Sequence, residues 1–216
     1  MNFNSLKYLI LGIYFIHLML MGHDAETNKP FEKVHAHNTL DAHFHAGWES
    51  RYFSEGRDAL NGKSLWNSSL EIGYDHLSGG VWYGRSSNHQ YDEWQYNLAL
   101  SQEMGGYSFY AGYTHLIFAK DVESDDEWST GISYEGLPFN LITSLDAYYS
   151  MDAKGTFYEW SNTREFNPQE DLDISFSGTF GWNENYITDG HDGLNYFSLR
   201  SGAKKVFFDN FSLAGH

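Results

Sequence analysis

The sequence predicts an all-β chain, an antiparallel up-and-down transmembrane β-barrel of about twelve strands. Three observations predict it. Apolar and polar residues alternate with period 2 in segment after segment. The connections between those segments alternate between short and long, as the turns and loops of an up-and-down barrel do. Aromatic residues make up 18% of the chain, yet its mean hydropathy is −0.52. The rings are therefore interspersed with Gly, Ser, Asn and acidic residues, a composition suited to strands rather than helices.

Residues 1–25 read as a secretory signal. Lys7 supplies the positive start, and Tyr8 to Met21 form an apolar stretch interrupted by His17. That stretch is short for a spanning helix. Small residues place cleavage near Ala25, and an uncleaved N-terminal anchor is the competing reading. Either way the rest of the chain is exported. Residues 26–38, with Lys29-Pro30, form a flexible lead-in, and 39–216 form the barrel domain. No later apolar run nears the ~20 residues a membrane helix needs, so a membrane location requires a closed barrel.

The first strand starts at Leu40, with Leu40, Ala42, Phe44, Ala46, Trp48 and Tyr52 facing one way and Asp41, His43, His45, Glu49 and Arg51 the other. The same parity recurs from Trp66 to Tyr74, Glu93 to Leu100, Glu127 to Tyr134, Asn140 to Tyr149 and Leu172 to Trp182. Weaker versions lie at 80–87, 107–118, 156–166 and 195–204, and a fragment starts at Phe211. Short turns are expected at His76–Gly79, Met104–Gly106, Glu135–Phe139, Asn167–Glu170 and Val206–Asn210. The other connections are Ser54–Ser64, Ser87–Asp92, Lys120–Asp126, Asp152–Gly155 and Asn183–Gly193. Ten strands and a fragment make an odd count, whereas single-chain bacterial barrels close on even numbers. Because the sequence ends in mid-strand, the expectation is that C-terminal sequence is missing and that a twelfth strand returns beyond His216.

A barrel in lipid turns its apolar face outward and its polar face inward. Trp48, Trp66, Trp94, Trp128, Trp160 and Trp182 lie toward the long-loop ends, where an interfacial girdle belongs. A periplasmic sandwich would bury the same rings in a core, but the polar face carries few paired solubilising charges.

Gly47–Gly56, Ser69–Tyr74, Ser78–Gly84 and Tyr107–His115 carry Gly-aromatic strands. Over residues 40–216, and most strongly 47–115, the chain resembles the TorF-type porin family. The resemblance implies an outer-membrane barrel with a porin label and brings no catalytic residues. Members run on through a closing strand with a terminal aromatic, which this sequence lacks.

Several function classes are excluded or disfavoured. No Cys is present, so disulfides, thiolate chemistry and a lipid-anchored Cys are excluded. A formal charge of −16 disfavours nucleic acid. His43 and His45 share one strand face and could hold Zn or Cu, helped by His35 and His37; a polar interior lining is the competing reading. His76-Leu-Ser78 has the spacing of an outer-membrane lipid hydrolase, but it falls in a turn with no oxyanion donor in view. Ser87-Asn88-His89 is no better placed. The run Asp121, Glu123, Asp125, Asp126, Glu127 lacks the spacing of a calcium loop and reads as a solvated outer loop.

The expected function is passive passage of small hydrophilic solutes across the outer membrane, with a preference for cations and with no catalysis or cofactor. The pore-lining candidates are Asp41, His43, His45, Glu49, Arg51, Glu71, Glu93, Glu127, Asp146 and Asp173, with Arg51, Arg85 and Arg164 as counter-charges. The partners are outer-membrane lipid and small solutes or ions. The alternative is a non-conducting structural barrel whose acidic loops bind a partner.

Overall fold

The computed structural model describes residues 17–20, 40–187, 191–208 and 211–215. The cleavage region, the 26–38 lead-in, His35 and His37 lie outside the described residues. The described chain is all-β and contains one large antiparallel sheet of eleven consecutive strands. These are β2 (Leu40–Glu49), β5 (Leu65–Tyr74), β6 (Leu77–Ser86), β7 (Asp92–Met104), β8 (Tyr107–Phe118), β9 (Glu123–Leu137), β10 (Leu141–Ser150), β11 (Gly155–Gln169), β12 (Leu172–Glu184), β13 (Gly193–Phe208) and β14 (Phe211–Gly215). A four-residue strand, β1 (His17–Leu20), pairs in parallel with β2. It also approaches β14 without a ladder, so the sheet curls like a barrel and is not closed. A small separate hairpin, β3 (Phe53–Ser54) with β4 (Arg57–Asp58), sits inside the first long connection.

Connection lengths sort onto two ends of the sheet. The turn end holds Asp75-His76, Gly105-Gly106, Pro138–Asn140 and Glu170-Asp171. The loop end holds 50–64, 87–91, 119–122, 151–154 and, of the last long connection, 185–187 and 191–192. The two-residue turn at Gly105 (φ 60°) and Gly106 (φ 83°) needs left-handed backbone at both positions, which glycine adopts without a Cβ clash. Three expected boundaries move. The Pro-containing turn at 167–170 is instead the end of β11, and the chain reverses at Glu170-Asp171. Pro168 has no N–H to give, and the β11–β12 ladder accordingly skips from Phe166 to Gln169. β13 runs on to Phe208, past the expected Val206 boundary. β9 starts at Glu123, so most of the acidic run is strand rather than loop.

Burial is inverted relative to a water-soluble core. The enclosed side chains include Glu49, Asn67, Glu93, Gln95, Thr114, Glu127, Asp146, Glu159, Ser161, Thr179 and Asn183. The exposed ones include Trp66, Leu70, Ile72, Tyr96, Leu98, Leu100, Trp128, Leu145, Trp160, Phe176, Phe180, Trp182, Phe197 and Leu199. Register explains this, because each cross-strand pair shares a face. Trp48 meets Trp66, Trp94 meets Tyr83, Trp128 meets both Tyr113 and Tyr149, and Phe180 lies between Trp160 and Phe197. These rings make a continuous outward belt toward the loop end, with centroids 4.5 Å apart at Tyr83–Trp94 and 5.6 Å at Trp160–Phe180. A second belt lies toward the turn end, with Tyr107–Tyr134 at 4.5 Å and Phe166–Phe176 at 5.9 Å. From Trp66 to Tyr74, one belt to the other on β5, is about 27 Å along the strand at ~3.4 Å per residue. Aliphatic Leu70 and Ile72 fill the interval on that strand.

Candidate functional site

The inward face of the sheet is the candidate site. β2 and β5 pair Asp41 with Gly73, His43 with Glu71, His45 with Ser69 and Glu49 with Leu65, all on that face. Glu93 and Gln95 on β7, Glu127 on β9, Asp146 on β10, Glu159 on β11 and Asp173 on β12 follow by the same parity.

The buried carboxylates are held by neutral donors. Asn67 Nδ2 donates to Glu49 at 2.6 Å. Gln95 Nε2 donates to Glu93 at 2.7 Å, and the Tyr91 hydroxyl donates to the same group. Asp146 accepts from the Tyr110 hydroxyl at 3.0 Å and from Ser144 Oγ at 3.1 Å. Tyr196 donates to Glu159 at 2.5 Å, and Tyr186 donates to Glu127. A neutral donor satisfies the carboxylate's lone pairs without cancelling its charge.

The two ends of the interior differ. Asp41 and His43, near the turn end, are exposed, and Glu71 is half-buried. Near the loop end Glu49 is 1% exposed, Glu93 2% and Asp146 4%, so water has little access there. Two apolar clusters close that end. The first connection folds inward and buries Tyr52 and Leu60 against Leu65 and Trp82, with Tyr52 stacked on Trp82 at 6.4 Å. It reaches across to β13, where Asn195 Nδ2 donates to the Glu55 carbonyl at 2.6 Å. The last long connection brings Ile187 and Tyr186 onto Tyr148, Phe157 and Tyr196. Asn183 shapes it by accepting the backbone N–H groups of Tyr186 (3.1 Å) and Ile187 (2.9 Å). Burial, and secondarily the neighbouring carboxylates, push the Tyr91 and Tyr186 hydroxyls well above the usual tyrosine range.

The counter-charges are not the expected ones. Arg51 stands exposed in the first connection. Arg85 pairs with Trp66 in the ladder and so faces outward. Arg164 also faces outward, its guanidinium 4.3 Å from the Phe166 ring centroid and 5.8 Å from that of Phe139. Among the described residues the permanent cations at inward strand positions are Arg200, opposite Ser177, and Lys204, opposite Asp173. The spacing Ser198-x-Arg200-x-Gly202-x-Lys204 carried this signal in the sequence.

The remaining candidates disperse. Among the described residues no group of three or more His, Asp or Glu side chains is placed to share a metal ion. Ser78 is buried on the inward face, whereas His76 sits in a turn with Nε2 3.5 Å from Asp75. The acidic run is divided by strand parity, which corrects the expected solvated loop. Asp125 accepts from Ser150 at 2.5 Å, Asp126 from Tyr113 at 2.5 Å, and Glu127 turns inward to Tyr186. Leu60, Tyr186 and Ile187, which help fill the mouth, had no periodic signal because they lie in connections; Tyr52, expected on the outward face of the first strand, turns inward because β2 ends at Glu49.

No protein-family model matches the chain, and neither a curated protein nor a solved structure matches it.

Proposed function

We propose that this chain is an outer-membrane β-barrel that passes small hydrophilic solutes, cations in preference to anions, without catalysis. The observation that carries the reading is the inverted burial: large apolar side chains outside, carboxylates and amides inside. In water such a surface would be a severe aggregation hazard. In a bilayer it is the favourable arrangement, and the two aromatic belts then lie at the two interfaces. The resemblance to TorF-type porins and the secretory character of residues 1–25 point the same way. The surplus of acidic over basic residues on the inward face supports the cation preference, since ionised carboxylates along a pore raise the local cation concentration and repel anions.

A second reading is favoured by the filled mouth. If Tyr52, Leu60 and Ile187 stay seated, the barrel is a non-conducting surface protein with acidic outer loops. Planar-bilayer recording of the purified chain under a salt gradient separates the two. The first reading expects steps with a cation-selective reversal potential. Anion selectivity would sink it, and silence across all voltages would favour the second.

A further inference from the structure

The outward face carries a groove that the channel reading does not use. It lies at the loop end of β5 and β6, holds about 420 Å³, and is lined by Trp66, Tyr83, Arg85, Ser87 and His89 among others. Two walls are aromatic: Trp66 is 60% exposed, and Tyr83 packs on Trp94. The base is cationic. The Arg85 Nε is buried and has no hydrogen-bond partner. Asp92 faces Arg85 across the ladder, but its Oδ1 is likewise buried without a partner, so no hydrogen bond links that oxygen to Nε. The Ser87 N–H donates to the Ser64 carbonyl at 2.8 Å, which ties the loop that carries His89 to the end of the first connection. Arg85 and the exposed His89 thus line one groove in a chain whose formal charge is −16.

We infer that this groove binds the phosphorylated sugar headgroup of an outer-leaflet glycolipid. A guanidinium between aromatic walls suits a phosphate carried on a pyranose, because the phosphate takes charge-assisted hydrogen bonds and the sugar's C–H face lies on the rings. The groove is continuous with the outward apolar face through Trp66 and Leu70, which places acyl chains beside it and favours a lipid over a soluble anion. The inference rests on the outer-membrane barrel reading, but not on conduction.

The test uses the full chain in detergent micelles and in vesicles. Flotation with the vesicles and heat-modifiable electrophoretic mobility report whether a barrel inserts; failure of both overturns the barrel reading and this inference with it. Given insertion, immobilised protein is titrated with bisphosphorylated lipid A, dephosphorylated lipid A and inorganic phosphate. The phosphorylated lipid should bind about tenfold more tightly than the dephosphorylated one, as one lost charge-assisted contact implies. Arg85→Gln should remove most of that difference. His89→Gln, outside the ladder, should weaken it with unchanged mobility. Equal binding of the two lipids, wild-type affinity in both variants, or displacement by inorganic phosphate at equal concentration each overturns the proposal.

Discussion

Gly131 shows how tightly the interior is set at the level of single side chains. A Cβ there would fall 2.3 Å from Asp146 Oδ1 and 2.3 Å from Tyr110 Cε1. Those two groups are hydrogen-bonded to each other, so neither can retreat without breaking the pair. Gly131→Ala should therefore destabilise the folded barrel by about 1–3 kcal/mol, the usual cost of overpacking. The midpoint of urea unfolding from detergent reads it, and an unchanged midpoint removes the claim. The two mouth tyrosines make a pH prediction. Burial raises the folded-state pKa of Tyr91 and Tyr186. A raised phenol pKa adds stability that is present below the unfolded value near ~10 and is lost as pH rises above it. Phenolate absorbance should thus show Tyr91 and Tyr186 among the tyrosines that stay silent above pH ~10 until the barrel unfolds. Tyr91→Phe with Tyr186→Phe should shrink that delayed step by two tyrosines, and a step of unchanged size removes the claim. On the exposed turn, Lys205 holds the Asp171 carboxyl below its ordinary range through a 2.5 Å hydrogen bond.

Among the elements, the first long connection has the most to decide. It is held by the Asn195–Glu55 bond and by Gly56 (φ 75°), where a Cβ would fall 2.5 Å from the Tyr196 ring. Gly56→Ala or Asn195→Ala should loosen the connection, the latter by roughly 1 kcal/mol of hydrogen bonding. If the barrel conducts, either substitution should lengthen its open times in single-channel records. Unaltered records would show that this connection does not set the opening. The strands themselves were legible: period 2 located all eleven, because a half-exposed strand must alternate. The turn-end aromatic belt was missed, since Tyr107, Phe109 and Tyr134 were read strand by strand and belts are a property of register. Arg85 and Arg164 were misplaced for a related reason. Both sit among aromatics on the outward face, where long basic side chains lie over rings, so their charge was a poor guide to their face. The β3–β4 hairpin has two-residue strands, too short for any periodicity to appear.

For the molecule as a whole, parity made the inverted surface readable, because every strand repeats the same division. Which part of the interior is filled was not readable, since Tyr52 and Ile187 arrive from connections whose paths depend on partners across the barrel. The charge inside makes the last prediction. Exchanging Glu49 and Glu71 for Gln and Asp146 for Asn should move the reversal potential toward zero in a salt gradient. A potential that does not move locates selectivity elsewhere. The placement of the two inward cations has a further physical result. Arg200 and Lys204 both lie on β13, whereas the enclosed acids Glu49, Glu93, Glu127 and Asp146 lie on β2, β7, β9 and β10. The inward strand cations thus form one stripe along β13, with Asp173 across the ladder from Lys204 and Glu159 two strands away, while the acids are spread around the remaining wall. If solutes pass, the carboxylate of a zwitterion finds its partners on this one stripe, whereas a sugar without charge has no such preferred side.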